Sequence, residues 1–69
     1  MTANESLAKY LDSLPAPERI AKSRDIREKL NISKDKLSDW RCGRIKLDYL
    51  SFCKLKKILG VELESDFDI

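Results

Sequence analysis

The sequence predicts an all-α domain of four or five short helices. Two observations predict it. Apolar residues recur at three- and four-residue spacings in each of several short segments, which is the period of a helix with one buried face. Each segment is bounded by a residue that caps or breaks a helix, and none alternates apolar with polar as a half-buried strand does. With 69 residues there is room for one domain with a modest core, so every apolar side chain in it matters. No internal repeat or low-complexity segment interrupts the pattern.

The first helix is expected over residues 4 to 14. Leu7, Tyr10, Leu11 and Leu14 share a face, and Asn4 is placed to cap it. Pro15 and Pro17 stop it, because proline lacks the N–H donor and clashes with the preceding turn. Pro17 then opens the second helix at its first position, where the missing donor is harmless. That helix is expected over residues 17 to 30, with Ile20, Ala21, Ile26 and Leu30 as its apolar points. Its middle is weak, and Ser23 could cap a separate helix supported by Asp25 in its first turn. A largely continuous helix with a kink near Ser23 is the favoured form.

A corner follows. Asn31 sits where a left-handed cap is needed, and Asn tolerates positive φ best after Gly. Ile32 is expected to point inward and Ser33 to cap the third helix, whose buried stripe is Leu37 and Trp40 and which Gly43 ends. A basic loop leads to Asp48, the cap of the fourth helix. Tyr49, Phe52, Leu55 and Leu59 form that helix's expected buried face, and Gly60 ends it. Val61, Leu63 and Phe67 are expected to fold the tail back over the core. Leu50, Cys53 and Ile58 lie off the main face, and either form a dimer seam or pack under the first helix or the tail.

Composition excludes several classes. Apolar residues make up 42% and charged residues 38% of the chain, too apolar for disorder and too charged for a membrane protein. No apolar run approaches the roughly 18 residues of a transmembrane helix. The opening residues lack the basic and apolar regions of a signal peptide, so a cytoplasmic location is expected. Cys42 and Cys53 match no metal motif, and the absence of histidine removes the usual zinc ligands. Both are expected to be reduced thiols, with no metal or other cofactor. With no histidine, no Gly-rich phosphate loop and no paired carboxylates in an evident pocket, an enzyme is not expected.

Charge is unevenly spread. The net charge is +2, but residues 1 to 60 carry 14 Lys and Arg against 8 Asp and Glu, while Glu62, Glu64, Asp66 and Asp68 make a short acidic tail over residues 62 to 69. From Lys22 to Lys46 there are 9 basic residues against 4 acidic ones. A basic body of this kind suits a polyanionic partner; a merely solvated surface is the plainer reading of the same pattern.

The segment around the corner resembles the phage-repressor-like helix-turn-helix domains of the lambda-repressor and Cro type. Ile26, Leu30, Ile32, Leu37 and Trp40 occupy the motif's five apolar points, and Asn31 stands at its turn. The ending W-R-x-G-R and the downstream LKKILGVEL are also similar, and the resemblance covers about residues 23 to 63. It implies a lambda-repressor-like bundle. Arg27 departs from the pattern, which has Ala or Gly where the two helices approach closely; an Arg there runs its stem along the surface and widens the expected crossing. Lys56 is a second departure, at a place often held by Ala.

Helical geometry sets Asp35, Ser38, Asp39 and Cys42 opposite Leu37 and Trp40, with Lys34 at the helix start. In the family, the first residues of this helix and its outward stripe read base edges in the major groove. Carried over, Lys34, Asp35, Ser38 and Asp39 are the base readers. An aspartate can accept from cytosine N4, but it is repelled by phosphate, and both carboxylates also read as surface or helix-end charges. Affinity must then come from elsewhere, and Lys22, Arg24, Lys36, Arg41, Arg44 and Lys46 are the expected phosphate contacts. The implied function is a small sequence-specific duplex-DNA-binding transcriptional regulator, of the kind phages and mobile elements carry, acting by occupancy as a homodimer, or beside another protein, on half-sites about one helical turn apart. No membrane or small-molecule partner is expected. The rival reading is an antitoxin-like or anti-repressor module that keeps this fold and binds protein instead.

Overall fold

The computed structural model describes residues 2–67. Four helices form: α1 (Ala3–Asp12), α2 (Ala16–Leu30), α3 (Lys34–Cys42) and α4 (Tyr49–Leu59). No strand occurs among the described residues, and no helix among them is long and apolar enough to cross a membrane. Asp68, counted with the acidic tail, lies outside the described residues.

The ends of the helices are set by short-range chemistry. Thr2, not Asn4, caps α1: its hydroxyl accepts from the Glu5 N–H, and the Glu5 carboxylate accepts from the Thr2 N–H, both at 3.1 Å. Reciprocal bonding of this kind satisfies two N–H groups that a helix start otherwise leaves unpaired. α1 stops at Asp12, two residues short of the expected end. α2 begins one residue before Pro17, with the Pro15 carbonyl accepting from the Arg19 N–H at 2.9 Å. It passes through Ser23 as one helix.

Asn31 adopts φ 54° and ψ 49°, so the chain turns left-handed there, and the Arg27 carbonyl accepts from both the Asn31 and Ile32 N–H groups. Ser33 and Asp48 cap α3 and α4 through the N–H groups of Lys36 and Ser51. Gly43 (φ 80°) and Gly60 (φ 68°) end them in a conformation that L side chains rarely adopt.

The core gathers Ala3, Leu7 and Leu11 of α1, Ile26 of α2, Leu37 and Trp40 of α3, and Phe52, Leu55 and Leu59 of α4, with Leu47 from the loop. Val61, Leu63 and Phe67 fold back onto it as the sequence predicts, and Phe67 sits edge-on to Tyr49 with ring centroids 5.6 Å apart. The Ser6 hydroxyl donates to the Glu64 carbonyl and ties the tail to α1.

Two expectations about burial are corrected. Ile20 is 59% exposed and Ala21 is exposed, because α2 buries only Ile26 fully and packs sparsely on α3, leaving Ile20 on an open cleft between them. Tyr49 is 41% exposed, since it is the first residue of α4 and its ring meets the tail rather than the core. Leu47, in the basic loop before Asp48, adds a fully buried side chain for which the helical spacing makes no assignment. Of the three residues off the main α4 face, Ile58 packs against the core, Cys53 is half-buried and Leu50 is 69% exposed.

Two caps respond to acid. The bond from Ser51 holds the Asp48 carboxyl below its ordinary value of 3.8, and the bond from the Thr2 backbone holds Glu5 below 4.5. A depressed carboxylate stabilises the fold above its ordinary pKa, and that contribution is lost as pH falls through the lower folded value. Helical signal followed through an acid titration should therefore fall below about pH 4. Asp48→Ala should cost about 1 kcal/mol at neutral pH, whereas Asp48→Asn should keep most of the cap and lose Asp48's share of the acid sensitivity.

Candidate nucleic-acid interface

Residues 27 to 46 fold so that Leu37 and Trp40 face inward, at 4% and 2% exposure. Lys34, Asp35, Ser38 and Cys42 are left on the open side of α3. Among the described residues the tail packs against α1 and α4, and Lys34, Asp35, Ser38 and Cys42 remain exposed. Cys42 and Cys53 are both unbridged.

The expected base readers divide. Lys34, Asp35 and Ser38 are exposed. Asp39 is occupied: its carboxylate lies 3.6 Å from the Arg44 guanidinium, and its carbonyl accepts from the Arg44 N–H at 2.9 Å. It shapes the start of the loop that carries Arg44, Ile45 and Lys46, all three exposed.

The expected phosphate contacts divide as well. Arg44, Lys46 and Arg24 are exposed. Arg24 stands at the corner beside Arg27, Asn31 and Lys34. Arg41 is held by Asp12 of α1 at 2.7 Å, so its guanidinium is fixed. Lys36 places its ammonium 5.6 Å from the centre of the Trp40 ring. It lies about 160° around α3 from Lys34, on the opposite flank. Lys22 is half-buried and lies about 140° around α2 from Arg27, again away from the corner's open side.

Asn4 does something the sequence did not reveal. Its amide donates to the carbonyls of Trp40 and Ile45, both at 2.8 Å, and its side-chain oxygen accepts from the Leu47 N–H at 3.0 Å. One side chain on α1 thus fastens the end of α3 to the basic loop. That placement explains why Leu47 turns inward while Arg44, Ile45 and Lys46 stay out.

α2 and α3 make the sparsest of the main interhelical packings, whereas α1 packs closely on α3 and α2 on α4. A cleft of about 330 Å³ opens between α2 and α3, lined by Arg19, Ser23 and Arg27 on one side and Lys34, Ser38 and Arg41 on the other. Ile20 and Leu37 supply its apolar part. Arg27 thus lines the opening between the two helices. Arg19 and Arg27 were not among the expected contacts. The signal that marks them is periodic: residues 19, 23 and 27 fall at successive four-residue steps, and 34, 38 and 41 at steps of four and three, so each set forms one stripe.

Comparison with known proteins gives no match to any family model, curated protein or solved structure.

Proposed function

We propose that the chain binds duplex DNA through a helix-turn-helix formed by α2, the Asn31 corner and α3, in the manner of the lambda-repressor-like domains, and acts as a small transcriptional regulator. One observation carries this reading. The corner has a left-handed Asn31 and a Ser33-capped helix whose Leu37 and Trp40 face the core, while its other flank stays open and is bordered by cations. A recognition helix needs that division, because one stripe must hold it to its domain while another enters a groove about 12 Å wide.

In this reading Lys34, Asp35 and Ser38 approach base edges. Arg44 and Lys46, on the loop fastened by Asn4, grip the backbone beside α3. Asp39 serves as a positioning residue for Arg44. Phosphate contacts set the register, and the exposed end of α3 reads a few bases. One such module covers only about 600–1,000 Å², so binding as a homodimer, on half-sites about one helical turn apart, supplies the remaining specificity. No catalytic role is proposed.

A second reading remains specific enough to test. Asp35 on the outward stripe and the exposed Ile20 and Leu50 favour a protein-interaction module. Arg44→Ala combined with Lys46→Ala distinguishes the two. In an electrophoretic shift assay on random duplex at low salt, the double variant should bind about tenfold or more weakly, with its slope against log salt reduced by nearly two. Equal binding by the variant, or no shift by the native chain, favours the protein-interaction reading.

A further inference from the structure

We propose that the cleft between α2 and α3 is a seat for a phosphodiester backbone, in which Arg19 and Arg27 act together with Lys34 and Arg41. The proposal rests on the nucleic-acid reading and moves its centre of charge.

Four cations converge on the cleft from two helices, and no carboxylate is among its lining residues. Their backbone positions are spread about 12 Å along α2 and about 10 Å along α3, a spacing that lets an extended anionic chain meet charge from both walls. Arg41 has an internal partner in Asp12, whereas Arg19, Arg27 and Lys34 form no ion pair among the described residues. Ser23 and Ser38 add a hydroxyl from each wall, and hydroxyls donate readily to phosphate oxygens. Arg27 and Arg19 present planar guanidinium groups, the geometry best matched to two phosphate oxygens at once. Ile20, exposed at the mouth, and Leu37 at the base supply an apolar surface for a sugar ring.

The outermost stripe of α3 has the wrong charge for the same task. It carries Asp35, and Asp39 is already paired with Arg44. Asp35 lies about 100° around the helix from Lys34. If the backbone runs along the cleft, Lys34 and Ser38 form the leading edge of α3 and Asp35 is turned away from the phosphates. The charge pattern that looks unfavourable on a helix docked through its outermost stripe becomes consistent with a helix rolled toward α2. The large residue at position 27 then has a use: it opens the crossing and lines the opening with positive charge.

Phosphodiester chemistry is shared by duplex DNA, single-stranded DNA and RNA, so three labelled probes of random sequence are needed, one of each. Binding is followed by fluorescence anisotropy at several salt concentrations for the native chain, for the pair Arg19→Gln and Arg27→Gln, and for Lys34→Gln. Arg44→Ala with Lys46→Ala serves as the loop comparison. The cleft pair should lose about tenfold or more in affinity for duplex, with a log–log slope smaller by nearly two and helical content unchanged. Lys34 is exposed, so Lys34→Gln decides the matter if the cleft pair folds poorly; its slope should fall by nearly one. A loss confined to duplex assigns the seat to DNA, and an equal loss on the single strands assigns it to any phosphodiester chain. Unchanged affinity and slope in the cleft variants, with weakened binding in the loop variant, overturns the cleft while leaving DNA binding intact. No binding of the native chain to any of the three overturns both. In that case, capture of an acidic peptide with an apolar anchor, lost in the cleft pair, reassigns the cleft to a protein partner.

Discussion

Trp40→Ala should leave the chain largely unfolded at 25 °C. Trp40 is 2% exposed and sits among Leu37, Leu47 and the α1 and α4 core residues in one cluster. Removing a buried Trp side chain costs about 3–5 kcal/mol, from lost burial and from the cavity left behind. A chain of this length is held by roughly 3–10 kcal/mol in all. The loss is therefore comparable to the whole stability, and Trp40 and Leu37 are the buried side chains through which α3 packs on the core. Trp40→Phe leaves a smaller cavity and should retain a cooperative transition at reduced urea concentration. A Trp40→Ala protein that melts within about 1 kcal/mol of the native chain would show that α3 is not anchored through this ring.

Asn4→Ala should have the next largest effect, and it should act on function as well as on stability. The substitution removes three hydrogen bonds and leaves the Trp40 and Ile45 carbonyls and the Leu47 N–H without their partner. The Trp40 and Leu47 bonds are partly buried, and leaving such groups unmade costs about 1–3 kcal/mol each where water cannot reach them. With partial water access, about 2–3 kcal/mol in total is expected. The loop bearing Arg44 and Lys46 loses its tie to α1, so duplex affinity should fall several-fold even at temperatures where the variant remains folded. Asn4→Asp sharpens the test. Its carboxylate can still accept from Leu47 but faces two carbonyl oxygens, which pushes its own pKa up. An acid with a raised folded pKa costs stability once it ionises, so this variant should be more stable at mildly acid pH than at neutral pH, opposite to the trend from Asp48 and Glu5.

Much of the fold was legible because helix ends are local events. Asn31, Ser33, Gly43, Asp48 and Gly60 each act on groups within a few residues of themselves, and each holds the place the sequence assigns it. The N-cap of α1 lies two residues before the position the spacing suggests, because Thr2 and Asn4 are both capping types. What separates them is where the Asn4 amide is needed, 36 to 43 residues away. Burial failed where periodicity was incomplete. Ile20 is apolar at helical spacing, but it lines the open cleft where α2 and α3 pack sparsely. Leu47 has no period of its own and is buried by the loop's path under Asn4.

The exposure of the candidate residues is legible in part for a similar reason. Local charge counting identified Arg44 and Lys46, which are exposed, and Arg24 at the corner. It also selected Lys36 and Lys22, whose directions around their helices take them off the open face. Counting along the chain does not bring out Arg19 and Arg27, because the residues that line the cleft with them, Lys34 and Arg41, come from another helix. The stripes themselves were present in the spacing; their approach to each other depends on the Asn31 turn and on the separation of α2 from α3.

The central claim is that the cation-bordered open side of α2 and α3 meets a nucleic-acid backbone. A salt titration of the native chain on random duplex tests it most directly, because each neutralised phosphate releases counterions in proportion. With about 4 to 6 phosphates met by each protomer, log affinity should fall against log salt with a slope near −4 to −5 per protomer. A slope near zero, or no binding at the lowest salt, would contradict the claim.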